Sequence, residues 1–243
     1  MDETARMWME ITFNIAYLIT VWGLVVVMAQ RHRFLPIEQK SLRAYIIGAF
    51  ALLALGDTGH VGFRVLAYAR GEMLTANAVP AGQVGLVGLG ALATAITVTF
   101  FYMLVVYIWK ERFGKTLGAF EGFLLAMGIV RLVIMLFPQN EWNNTVPPQP
   151  WSLYRNLPLV VQGLGVAFLI LRDAIRAHDR AFVGIGISIL VSYAFYTPVI
   201  LFVQVAPMVG MLMIPKTLAY VAIAIIAFQK LFRGQGKWVA QTV

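Results

Sequence analysis

The 243-residue chain has no cysteine. Disulfides, thiolate metal sites and cysteine nucleophiles are thereby excluded. Charge is scarce as well: 12% of the residues are Asp, Glu, Lys or Arg, against roughly 25% in an ordinary soluble domain. That is too little to cover the surface of a water-soluble protein of this length. Histidine is limited to His32, His60 and His178, and no HExxH pattern joins them. Zinc catalysis and haem ligation by paired histidines therefore lack their ligands, and no metal site is expected. Neither a GxSxG elbow nor a nucleotide-binding loop is present. The N-terminal Asp2, Glu3 and Arg6 do not form the basic n-region of a cleaved signal peptide. The first hydrophobic segment is accordingly expected to stay in the mature protein.

What the chain does have is apolar sequence, 60% of its residues. Long apolar runs alternate with short basic connectors, the pattern of repeated membrane spans. Seven spans are predicted, at roughly 8–30, 43–69, 82–109, 117–137, 153–172, 181–205 and 208–232, each near the ~20 residues that cross a bilayer core. No run shows the alternation of a membrane β-barrel, so only helices fit. The expected architecture is an all-α integral membrane protein of the cell membrane: one multi-pass, seven-transmembrane-helix bundle spanning 1–243.

Lys and Arg set the expected orientation. Arg31, Arg33, Lys40, Arg43, Lys110, Arg112, Lys115, Arg172, Arg176, Arg180, Lys230, Arg233 and Lys237 all fall on one side, against Arg6 and Arg70 on the other. The basic side is expected to be cytoplasmic, which puts the N-terminus outside and the C-terminus in the cytoplasm. This distribution also accounts for the net charge of +8 without a nucleic-acid partner, for which no domain-sized polar segment exists. The longest outer connector, 138–150, is rich in proline, and Asn143-Asn144-Thr145 within it matches a glycosylation sequon.

Ionisable groups inside spans are costly and call for an explanation. The first span has Glu10, Asn14 and Tyr17 on one helical face; the second has Asp57, His60 and Arg64, spaced i, i+3, i+7. Arg131 lies in the fourth span, Arg155, Asn156 and Gln162 in the fifth, and Ser192, Tyr193, Tyr196 and Thr197 in the sixth. Lys216 lies in the seventh, with Tyr220 one turn later. The third span has no interior charge, and its Gly85, Gly88, Gly90, Ala91 and Ala95 point to close helix packing. Pro158, Pro198 and Pro215 remove backbone donors within spans and imply kinks.

Depth and direction together place nearly all of this polarity in the outer half. Arg64 and Arg131 lie about two turns, ~10 Å, below the outer boundary, and Asp57 lies nearest the centre. Glu121 is the exception, and the cytoplasmic half reads as almost purely apolar. The expected site is a net cationic cavity facing outward and closed below by an apolar plug, lined by Glu10, Asp57, His60, Arg64, Arg131, Arg155, Asn156, Tyr196 and Lys216. Such a pocket suits a small anionic or zwitterionic ligand or a lipid headgroup. Arg64, Arg131 and Lys216 would hold the anion; Asp57 and His60 would tune charge or carry a proton; Glu10 and Arg155 would line the entrance. The bland reading is that Asp57 and Arg64 form structural ion pairs and that Glu10 and Arg155 are interfacial anchors.

The leading functional expectation is a transporter or ligand-binding membrane protein. The alternatives are an enzyme acting on a lipid or isoprenoid at the outer leaflet, and a receptor or sensor subunit. A receptor with such short loops would need a separate signalling partner. Assembly as a homo-oligomer is left open.

Seven helices, an outside N-terminus, this length and a lysine in the last helix resemble in outline the microbial rhodopsins. The resemblance implies retinal held as a Schiff base on Lys216. Tyr193-Ala194-Phe195-Tyr196-Thr197-Pro198 is loosely similar to that family's aromatic-and-proline pocket. The third span lacks the family's Arg and carboxylate counterion, and Leu212 stands where an acid is usual. Asp57 would have to act as counterion from an unusual helix. The resemblance covers architecture and one residue.

Overall fold

The computed structural model describes residues 3–33, 40–70, 85–144 and 148–233, without the side chains of 3–7, 10, 68 and 207. They form an all-helical bundle. Its α-helices are α1 (Glu3–His32), α2 (Lys40–Ala69), α3 (Leu86–Phe113), α4 (Ala119–Met135), α5 (Trp151–Arg176), α6 (Arg180–Phe202) and α7 (Met213–Ala227). Short 3-10 segments cover Pro138–Asn140 and Pro207–Leu212, and α7 runs on into a π-helical turn, Phe228–Phe232.

Local chemistry sets several helix ends. The carboxylate of Asp179 accepts the N–H groups of Ala181 and Phe182 and so starts α6. Glu121 reaches back to accept the Gly118 N–H at 2.9 Å at the start of α4. Gly114, with φ 59°, takes the left-handed position that ends α3.

Each helix packs on the next in sequence, α7 closes onto α1, and α3 also touches α5 across the ring. The α2–α3 contact is the most extensive, because small residues let the backbones meet. A Cβ on Gly90 would stand 2.9 Å from the His60 Cα. Gly85 and Gly88, expected at a helix interface, instead lie against the backbone of Trp142 and Asn143, in the connector after α4. Their small size seats that connector over the start of α3.

Among the described residues six segments are long and apolar enough to cross a membrane: Ile11–His32, Lys40–Ala67, Leu86–Phe113, Trp151–Arg176, Arg180–Phe202 and Met208–Phe232. The last includes the 3-10 entry and the π turn. Helix α4 has 17 residues, about 26 Å of helix against a hydrocarbon core of about 30 Å. Large apolar side chains face outward from the bundle, among them Ile19, Phe123, Ile129 and Leu136. Water would penalise such a surface and lipid would not.

The interior toward the basic connectors is packed with Phe101, Trp109, Ile170, Phe182 and Ile189. It encloses an apolar cavity of about 20 Å³ lined by residues including Phe50, Val105 and Ile223. That is room for one water at most, and no polar side chain lines it to hold one.

Candidate functional site

The middle of α2 supplies Asp57. Its Oδ2 accepts the Tyr17 hydroxyl of α1 at 2.6 Å. Its Oδ1 has a longer contact, 3.4 Å, from Thr94 of α3, whose single proton is better placed on the Gly56 carbonyl at 3.0 Å. Asp57 therefore has one strong donor, and that donor is neutral.

Across the bundle, α7 presents Lys216. Its ammonium lies 4.3 Å from the centroid of the Tyr196 ring and 5.7 Å from that of Tyr220, a two-ring cation–π seat. Asp57 and Lys216 attract each other through space, yet no hydrogen bond or direct ion pair joins them. The two opposite charges thus act on each other at a distance, each with bonding capacity left over.

The rings that seat Lys216 are themselves tied down. The Tyr196 hydroxyl donates to Asn156 Oδ1 at 2.9 Å, and the Tyr220 and Tyr102 hydroxyls share a bond of 2.8 Å. Tyr193 donates to the Leu159 carbonyl at 2.8 Å, within reach because Gly163 has no Cβ to stand where the Tyr193 ring lies. These bonds orient the aromatic wall and leave the Lys216 ammonium without a hydrogen bond among the described residues.

Arg131 is different. It is 2% exposed and donates to protein on every side: Nε to the Arg155 carbonyl at 2.9 Å, Nη1 to the Ala95 carbonyl at 2.9 Å and to Thr99 Oγ1 at 2.7 Å, and Nη2 to Asn156 Oδ1 at 3.4 Å. Four of the five guanidinium protons are used, so Arg131 ties α3, α4 and α5 together. Asn156 bridges Arg131 and Tyr196, and its amide nitrogen donates to the Ser152 carbonyl. Arg155 is buried with its guanidinium 4.1 Å over the Trp142 ring, near Asn140.

His60 lies one turn along α2 from Asp57. It lies against the backbone of Gly90, and its buried Nδ1 has no partner. Arg64, partly buried a further turn on, acts on His60 through its charge. Glu10 belongs to α1, but its side chain lies outside the described residues. Asp57, Lys216, Tyr196, Asn156 and Arg131 thus form one connected group, Arg155 sits above it beside Trp142, and His60 flanks it. Among the described residues no cluster of His, Asp and Glu could hold a metal ion.

No known family model, curated protein or solved structure matches this chain. The functional reading therefore rests on the geometry alone.

Sequence reasoning missed three participants. Thr94 and Thr99 look like neutral filler in an apolar helix. Tyr102, 0% exposed, reads as packing until Tyr220 is found opposite it. The expectation of an almost purely apolar basic end also needs correction. Asp173 is buried there, with 4% of its surface exposed. It accepts from Trp109 Nε1 at 2.8 Å and from Arg172 Nη2 at 2.7 Å, with the Lys115 ammonium 4.0 Å away.

Proposed function

We propose that this chain is a seven-span protein of the cell membrane, N-terminus outside, whose Asp57–Lys216 couple binds a small zwitterion or anion for recognition or transport. The bundle of helices with lipid-compatible surfaces supports membrane residence. The Lys and Arg bias supports the orientation. The seventh crossing requires α4 to span; Leu117, Leu136 and Phe137 extend its apolar length at either end.

One feature carries the binding role: two opposite charges on α2 and α7 attract each other through space with no hydrogen bond or ion pair between them. A ligand carboxylate or phosphate would take the Lys216 ammonium, which makes no hydrogen bond among the described residues. A ligand ammonium would take the Asp57 carboxylate, whose only strong donor is Tyr17. A zwitterion satisfies both groups and adds no net charge to a low-dielectric interior, where an uncompensated ion is costly. Arg131 contributes shape and positive potential, since its donors are already engaged. The retinal reading has less support: the third span lacks the Arg and carboxylate counterion of that family, and Asp57 would have to serve from α2. Transport would require the packed basic half to open around this site.

The test is binding to the purified chain in nanodiscs, using a panel of amino acids, monocarboxylates and phosphate esters and reading thermal stability and calorimetry. At least one zwitterion or anion is expected to bind. Lys216→Gln and Asp57→Asn should each weaken a zwitterion roughly hundredfold, about 2.7 kcal/mol, as expected when a buried charge-assisted bond is lost. Silence across the panel, or affinities unchanged in both variants, refutes the assignment. Uptake into proteoliposomes separates a transporter from a receptor.

A further inference from the structure

At the basic end, far from the Asp57–Lys216 couple, α1, α2 and the π turn after α7 meet around two guanidinium groups. Arg31, in the last turn of α1, donates Nη1 to the Phe232 carbonyl at 3.1 Å and lies 5.2 Å from the centroid of the Phe228 ring. Arg43, in the first turn of α2, lies 5.8 Å from the centroid of the Phe232 ring.

Arg43 is 2% exposed, and its Nε and Nη1 are buried without a partner. The remaining 2% of its surface is exposed, so the residue is not fully sealed from outside. Arg43 has no carboxylate partner among the described residues. His32, next to Arg31, likewise has a buried Nδ1 with no partner. The buried Arg131, by contrast, has acceptors for four of its donors.

A buried cation with unused donors is kept only where something supplies acceptors. The surroundings favour an anion in three ways: two cations converge on one turn, the start of α2 carries a positive helix end without an acid in its first turn, and planar guanidinium donors match tetrahedral oxyanions. We infer that Arg43, seconded by Arg31, forms a phosphate-binding site at the basic end of the bundle. The phosphate comes either from an anionic phospholipid headgroup of the adjoining leaflet or from a soluble phosphate. This inference does not depend on the central site.

The experiment uses the full chain in maltoside micelles, which carry no phosphate. Its melting temperature is followed with short-chain phosphatidylglycerol, with inorganic phosphate, and with chloride at matched ionic strength. The wild type should gain about 5 °C with phosphatidylglycerol and nothing with chloride. An equal gain with inorganic phosphate identifies the phosphate alone as the ligand; a gain with the lipid only identifies the headgroup in its leaflet. Arg43→Gln should abolish the gain while being at least as stable as wild type in phosphate-free micelles, because a neutral amide needs no counter-ion. Arg43→Lys, which keeps the charge but loses the planar donors, should lose most of the gain and provides the test if the glutamine variant does not fold. Arg112→Gln, which breaks a neighbouring pair with Asp179, should keep the gain. The inference is overturned by a wild type that does not respond to either phosphate, by an Arg43 variant that responds as wild type does, or by equal losses in Arg43→Gln and Arg112→Gln.

Discussion

Asp57 and Asp173 both lie inside this bundle, and the protein treats them in opposite ways. Asp173, at the basic end, is surrounded by donors: the Trp109 indole, the Arg172 guanidinium and, at the edge of reach, the Lys115 ammonium. Its bonding capacity is used up in joining α3 to α5 and to the connector between α3 and α4. Asp57, midway along α2, has one neutral hydroxyl as its strong donor and attracts a lysine through space with no ion pair between them. The contrast shows that an ionised group within an apolar bundle is not in itself a sign of function. What separates a bolt from a receptacle is whether its hydrogen bonds and counter-charge are already met by the protein.

By this criterion Arg131 belongs with Asp173, although it lies beside Lys216. The largest effect expected from the comparison is therefore on stability. Arg131→Leu should cost about 3 kcal/mol, because it leaves the Arg155 carbonyl, Thr99 and Asn156 with unmatched buried acceptors. Denaturant or thermal unfolding measures it. Full stability combined with lost ligand affinity would move Arg131 into the receptacle class. Asp173→Ala should cost less, about 2 kcal/mol, since Arg172 is partly exposed and solvent screens part of the attraction. Ligand affinity at the central site should be unaffected, and a drop there would show that the two regions are coupled. The smallest effect is expected from Tyr17→Phe, about 1 kcal/mol from one hydrogen bond. Because this change strips Asp57 of its strong donor, it should tighten a cationic ligand group relative to wild type. Competition between a zwitterion and its des-amino analogue reads that preference.

Much of the fold was legible before any coordinates. Long apolar runs with short basic connectors force helices, because an unsatisfied backbone cannot lie in lipid. The spacing of Asp57, His60 and Arg64 puts them on one face of α2, and Lys216 was expected in the last helix as a cation of the same site. The reading went astray where partners come from other elements. Gly85 and Gly88 promised a helix contact and received a connector instead, since nothing local says which backbone will approach a missing Cβ. Asp173 stands beside Arg172 at the basic end of α5, and only the indole of Trp109, 64 residues away, ties it into the interior. Arg131 looked like a ligand-binding cation because its acceptors include the Ala95 and Arg155 carbonyls, and every residue has a carbonyl.

The amino-acid sequence by itself determined a helical bundle suited to lipid, the basic end of that bundle, and the inventory of ionisable groups within it. These follow from composition and period, which act locally along the chain. Tertiary structure alone decided which of those charges are satisfied. A hydrogen bond requires two atoms within about 3 Å, and only the packing of α1, α2 and α7 against one another left Asp57, Lys216 and Arg43 short of partners while Arg131 and Asp173 found theirs.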